Sequence, residues 1–254
     1  MLWRHELKFL IDEAASRQLY YSLRPILFDD SHALGSDPDR FRRYQIRSLY
    51  FDDENRRGIF EKLAGTDPRH KYRIRIYNGQ DQRISLEKKI KSGNLTQKHT
   101  CLLTRQQVES LLEGEPEFLL EASLRLNREA QNKSDRRAGQ LLAEFYAEIR
   151  TCRLAPLLLV DYDRAPLLWP DGNVRITFDR HLSTGLYRQD LWDPDAGLVP
   201  VLDPDQVILE VKFDHFLPDF IRALLPLSGA SQLSISKYAQ CAGFCRTQSW
   251  EDQS

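Results

Sequence analysis

Charge recurs at every second residue in one stretch of this chain after another, with apolar residues between. Arg4, Glu6 and Lys8 share a parity; so do Lys71, Arg73 and Arg75, then Glu87, Lys89 and Lys91, then Arg175 and Asp179 across Thr177, then Glu210 and Lys212. The opposite parity holds Tyr72, Ile74 and Ile76; Leu86 and Ile90; Val174, Ile176 and Phe178; Leu209, Val211 and Phe213. A period of two puts successive side chains on opposite faces of a strand. Antiparallel sheets often keep one wet face, but here that face is mostly cationic, and like charges on adjacent strands repel. Glutamates are interspersed on the same faces. A closed barrel with the charged face inward resolves the conflict, because helices then cover the apolar exterior and the lumen becomes a charged tunnel. Such charges cannot stay unpaired in a low-dielectric space. Lys and Arg suit phosphate oxygens; Glu suits a divalent cation that prefers oxygen ligands.

The remaining elements fit that plan. Residues 3–11 read as a strand, Asp12 as the cap of a helix reaching Leu27, and Gly35 and Pro38 as part of a polar connection. Strands are expected at 44–52, 70–78, 83–91, 96–102, 156–164, 173–180 and 206–214. A short helix ends at Gly65, Thr104–Gln107 has the form of a capping box opening a helical region to about Arg150, residues 181–206 are irregular with one short strand, and helices are expected at 218–226 and 236–246. Strands, helices, strands in that order predict one α+β domain over residues 1–254, its main sheet drawing on both ends of the chain.

The net charge is only −1, which argues against indiscriminate binding to nucleic acid. Yet Arg69–Lys98 holds nine Lys/Arg against two acids, a local site for an anion. No stretch approaches the roughly 18–20 apolar residues of a membrane span, charges interrupt the start where a signal peptide needs its apolar region, and Cys101, Cys152, Cys241 and Cys245 lack zinc spacing. A cytoplasmic, reducing setting is expected. There is no GxxxxGK[ST] loop. His70, His99, His181 and His215 do not cluster by spacing, and Tyr20, Tyr21, Phe60 and Tyr146 read as core. Few aromatics stand on the charged faces, which disfavours single-stranded RNA.

The motifs "RHELKF", "RSLYFD", "KYRIRIY", "LEKKIKSG", "DYDR", "VRITFD", "LEVKF" and "SKY" run in order from residue 4 to 238. In them the chain resembles the triphosphate tunnel metalloenzymes and, within these, the polyphosphate polymerase domain of the vacuolar transporter chaperone (VTC) complex and its bacterial relatives. The resemblance implies an eight-stranded antiparallel closed β-barrel, the triphosphate tunnel fold, surrounded by helices. It implies catalytic roles for Lys8, Arg73, Arg75, Lys89, Arg164, Arg175 and Lys237, and substrate contacts from Lys98, Tyr162, Lys212 and Ser236, with Lys91 added from its strand face; Ser236 also reads as a helix cap. Asp179 matches the acid that follows Arg175. Glu210 matches the metal-binding glutamate for Mn2+ or Mg2+; Glu6 and Glu87 share the charged faces and complete the expected metal set. Hydrolytic members open with E-x-E-x-K, where this chain has Arg4, Glu6 and Lys8; one fewer carboxylate favours the polymerase. The activity implied is ATP-dependent transfer of the γ-phosphate to a growing polyphosphate chain, with ATP and inorganic polyphosphate as partners, a membrane protein among the candidate partners, and oligomeric state open. The alternatives are a metal-dependent tripolyphosphatase or nucleoside triphosphatase of the same fold, and a non-catalytic polyphosphate-binding module.

Overall fold

The structure, a computed structural model, describes residues 3–30, 33, 41–225 and 236–251. The expected connection around Gly35 and Pro38 lies outside them. In chain order the described residues form β1 (Arg4–Asp12), α1 (Glu13–Leu23), β2 (Phe28–Asp29), β3 (Tyr44–Asp52), α2 (Arg57–Leu63), β4 (Arg69–Tyr77), β5 (Gln80–Ser92), β6 (Leu95–Leu103), α3 (Arg105–Leu112), α4 (Glu117–Glu129), α5 (Lys133–Cys152), β7 (Ala155–Trp169), β8 (Val174–Leu186), β9 (Val199–Pro200), β10 (Gln206–Phe213), α6 (Asp219–Leu224) and α7 (Lys237–Glu251). Eight strands pair antiparallel in the order β7-β3-β4-β5-β6-β1-β10-β8, and β8 returns to β7, closing a barrel. The first strand and the last long one lie side by side, Lys8 opposite Glu210. This is an α+β fold whose sheet has no free edge among its eight main strands.

The apolar parity of each strand faces outward and is covered by helices. Ile74, Ile76 and Leu86 pack with Val108, Leu119, Leu142 and Phe145 of α3–α5. Phe9, Ile176, Phe178 and Leu209 pack with Leu19, Tyr20 and Leu23 of α1 and with Ile221 of α6. The cover starts cleanly: Asp12 accepts the Ala15 N–H at 2.7 Å, and Thr104 with Gln107 makes a reciprocal capping box. The third cluster differs. Tyr238, Cys241 and Ala242 of α7 pack on Tyr50, Leu158, Val160, Leu182 and Ile208; Leu158 and Val160 share a face with Tyr162, and Ile208 with Glu210. Helix α7 therefore seats over an apolar layer of the lumen face.

Several boundaries move. α1 stops at Leu23, β7 extends to Trp169 and β8 to Leu186, and the region after Thr104 is three helices. Tyr20 is buried, but Tyr21 and Phe60 are 42% and 54% exposed rather than core, since each helix has a single covered side. The four cysteines are free.

Candidate functional site

Five strands and one helix start deliver charge to the inner part of the lumen, and the pleat decides which residues arrive. β4 brings Lys71, Arg73 and Arg75, β5 Lys89, β1 Glu6 and Lys8, β10 Glu210 and Lys212, β7 Tyr162 and Arg164, and the first turn of α7 brings Lys237; with Tyr50 these line an inner cavity of about 380 Å3. A wider cavity of about 840 Å3 shares Arg73, Arg75, Lys89, Arg164 and Lys212 and adds Arg4, Tyr44, Tyr77, Lys98 and Arg175. Among the described residues no carboxylate lines this second cavity. Eight Lys/Arg side chains line the inner one against Glu6 and Glu210.

Four carboxylates, three of them buried and Glu6 partly so, hold these cations in place. Glu87 accepts from Arg73 at 2.6 Å and Lys98 at 2.7 Å, with Arg75 at 3.8 Å. Asp179 takes two 2.7 Å bonds from Arg164 and one of 2.6 Å from Lys237. Glu6 accepts from Lys89 at 2.6 Å, with Lys8 at 3.3 Å. Glu210 accepts from Lys212 at 2.5 Å. Hydroxyls fill gaps: Tyr50 accepts from Arg73 at 2.8 Å, and Ser48 and Tyr162 from Arg75 at 3.1 Å each. Arg175 donates to Asp30 and to the Tyr44 hydroxyl at 2.7 Å.

Burial favours the neutral form of each group, and neighbours decide the outcome. Against burial, Arg73, Arg75 and Lys98 hold Glu87 well below the ordinary carboxylate range. Lys212 and Lys8 do the same for Glu210, and Lys8 and Lys89 hold Glu6 down. Lys8 gains more from Glu6 and Glu210 than burial costs it, and its pKa rises. Lys89 falls to about 7 through burial and the like charges of Lys8 and Lys212, despite Glu6. Lys71 is pushed well below the ordinary lysine value by burial, Lys89, Lys8 and Arg73.

The expected catalytic residues Lys8, Arg73, Arg75, Lys89, Arg164 and Lys237 meet in the inner cavity; Arg175 stands in the wider one. Of the expected substrate contacts, Tyr162 and Lys212 face the inner cavity and Lys98 the wider one. Ser236 accepts from Lys71 at 3.1 Å and from the Ala239 N–H of α7, so it caps that helix as well. Lys91, paired across the ladders with Arg69 and Thr96, lines neither cavity. The metal set divides. Glu6 and Glu210 lie within hydrogen-bonding reach of each other, whereas Glu87 is taken up by Arg73, Arg75 and Lys98. No cluster of three metal-binding side chains occurs among the described residues. Two adjacent carboxylates suit a hard divalent ion that draws its remaining oxygen ligands from water or a bound anion. Lys71, Tyr50 and Arg4 are lumen residues the sequence reading did not assign to the site, although Lys71 and Arg4 carry the same alternation. No histidine lines either cavity.

The VTC domain family model matches residues 3–245. Comparison with curated proteins returns no match. Among solved structures, a candidate adenylate cyclase from Bacillus halodurans is similar at 11% identity, over 92% of this chain and 94% of that one, with a TM-score of 0.46. The PH1819 protein from Pyrococcus horikoshii OT3 is similar at 13% identity, over 96% and 98%, with a TM-score of 0.43.

Proposed function

The chain belongs to the VTC domain family, and from that premise we propose that it is an ATP-dependent inorganic polyphosphate polymerase, one catalytic domain over residues 1–254. The observation that supports this most is the inner cavity, where eight cations surround two adjacent carboxylates in a closed lumen. With every group ionised, Glu87 and Asp179 included, that cavity keeps an excess of four positive charges, which suits a triphosphate.

In this reading Arg73 and Arg75, braced by Glu87, Tyr50 and Tyr162, hold phosphate oxygens of ATP; Arg164 and Lys237, braced by Asp179, hold the opposite side. Lys8, Lys89 and Lys212, paired with Glu6 and Glu210 in the free protein, exchange those carboxylates for phosphate oxygens when substrate enters. The freed pair Glu6–Glu210 is then available to a divalent ion, whose role is to neutralise charge on phosphate oxygens. The wider cavity with Lys98 and Arg175, where no described carboxylate stands, suits the remainder of a polyanion. The terminal phosphate of the chain attacks the γ-phosphorus, the bond to ADP breaks, and no protein nucleophile is required: orientation and preorganised charge carry the step. The elongating end is already an anion, so no general base is needed.

Incubation with ATP and Mn2+ tests this, read by a gel stained for polyphosphate and by phosphate release. Long chains support the polymerase. Free phosphate without chains replaces it by a hydrolase of the same fold, and neither product leaves a binding module. A cytoplasmic setting and a membrane-protein partner belong to the same proposal, and fractionation and affinity capture test them.

A further inference from the structure

Seven of the eight cations of the inner cavity have a carboxylate within ion-pair distance: Lys8 and Lys89 on Glu6, Arg73 and Arg75 on Glu87, Arg164 and Lys237 on Asp179, Lys212 on Glu210. Lys71 is different. Its Nζ donates to the Ser236 hydroxyl at 3.1 Å and lies 5.6 Å from the ring centres of both Tyr50 and Tyr238. Those two rings stack at 4.8 Å; the Tyr50 hydroxyl accepts from Arg73 and the Tyr238 hydroxyl donates to Asp52. The amine is thus held in position by a hydroxyl and two aromatic faces, which orient it without supplying a counter-charge. Toward the lumen the charged groups around it are mostly of its own sign: Lys8 on β1, Arg73 on β4, Lys89 on β5 and Lys237 on α7, with Glu6 opposing. On its other side a small pocket carries Asp52, Arg57, Glu61, His70 and Glu148; Glu148 is spent on His70 and Arg57, Asp52 on Tyr238 and the backbone N–H groups of Asp53 and Gly58.

We propose that Lys71 is a further substrate-binding residue of the lumen, whose counter-charge is supplied by the bound phosphate chain rather than by the protein. This rests on the phosphate-tunnel reading and extends it. Burial and the surrounding cations disfavour the protonated amine in the free protein; a phosphate oxygen reverses that balance, so binding draws a proton from solvent onto Lys71 Nζ.

Calorimetric titration of inorganic tripolyphosphate with Mg2+ at mildly alkaline pH, in two buffers of different ionisation enthalpy, tests this on the full chain. Proton release from the ligand itself is common to all variants and cancels in the comparison. Wild type should take up more protons per bound ligand than Lys71→Arg, whose guanidinium stays charged throughout. Lys71→Arg should keep affinity within a few-fold, and Lys71→Met should lose about 10- to 100-fold. Equal proton uptake by wild type and Lys71→Arg, or unchanged affinity in Lys71→Met, overturns the proposal. Should Lys71→Met not fold, the proton count against Lys71→Arg still decides. If wild type binds neither tripolyphosphate nor ATP, the phosphate-tunnel reading itself fails, an outcome the variants do not mimic.

Discussion

Arg164 and Asp179 face each other across the β7–β8 seam that closes the barrel, joined by two parallel 2.7 Å bonds. Both are buried, and Asp179 also holds Lys237. One carboxylate therefore ties the closing strands to the start of α7 and leaves two cations aimed at the lumen. Asp179→Asn strands both charges, and breaking a buried pair of this kind costs about 3–5 kcal/mol. The pKa of Asp179 is lowered, burial being overcome by Arg164 and Lys237. A depressed carboxylate contributes stability above its unfolded pKa and loses it as pH falls through the folded one. Urea melts should show the full deficit of the variant at neutral pH and a shrinking one in acid below the ordinary aspartate value. Tripolyphosphate should restore part of the loss by pairing with the stranded cations.

Arg73→Ala and Glu210→Gln separate two contributions to turnover. Each should slow polyphosphate synthesis by about 10²–10³, by analogy with removing one oxyanion donor. Arg73→Ala should also weaken tripolyphosphate binding measured with a chelator present. Glu210→Gln should leave that metal-free binding intact or tighter, since it frees Lys212, and should instead raise the Mn2+ concentration needed for half-maximal rate. Wild-type turnover in either variant would remove that residue from the site.

An outward-facing pair supplies the control. Arg47 donates to Asp161 at 2.7 Å on the outer face of β3 and β7, and its guanidinium also reaches the backbone carbonyls of Asp190 and Asp193. Arg47→Met should destabilise the fold by about 3–5 kcal/mol, as loss of one partner of a buried pair does. Turnover and tripolyphosphate affinity, measured well below its lowered melting temperature, should match wild type. A parallel loss of phosphate affinity would mean that facing the lumen is not what distinguishes the site cations.

The same contrast shows what the sequence makes legible. All eight main strands lie near their expected stretches, and in five of them charge alternation marks the face, because a barrel whose lumen is charged and whose exterior is apolar writes its pleat into the chain. β3 breaks the rule: its lumen face carries Tyr44, Ser48 and Tyr50, and Arg47 points outward, so charge does not mark the inside along most of that strand. Long side chains blur the rest. Alternation places Glu87 on the right face, but its partners depend on how far Arg73 and Lys98 reach across neighbouring strands, which spacing does not encode. Lys71 carries the same alternation as Arg73; that among the described residues it alone in the inner cavity lacks a carboxylate emerges only when β1, β5 and α7 are brought around it.

That missing counter-charge has a measurable effect on the free protein. The folded pKa of Lys71 lies well below the ordinary lysine value of 10.5, chiefly through burial and then Lys89. Between the folded pKa and 10.5 the unfolded chain binds more protons, so this residue makes stability rise with pH. Below the folded pKa both states are charged and folding bears the whole burial penalty. Lys71→Met escapes it. Without ligand, the variant should melt above wild type, by about 2–4 °C for each kcal/mol gained, and its advantage should be largest at low pH and fade toward pH 10.5. Adding tripolyphosphate should reverse the order, because the anion stabilises wild type through Lys71 and gains nothing from Met. Differential scanning calorimetry across pH, with and without tripolyphosphate, checks both halves. A variant that melts below wild type in the free protein at every pH would show that Lys71 is already neutralised by its surroundings, and the reversal would then have no physical basis.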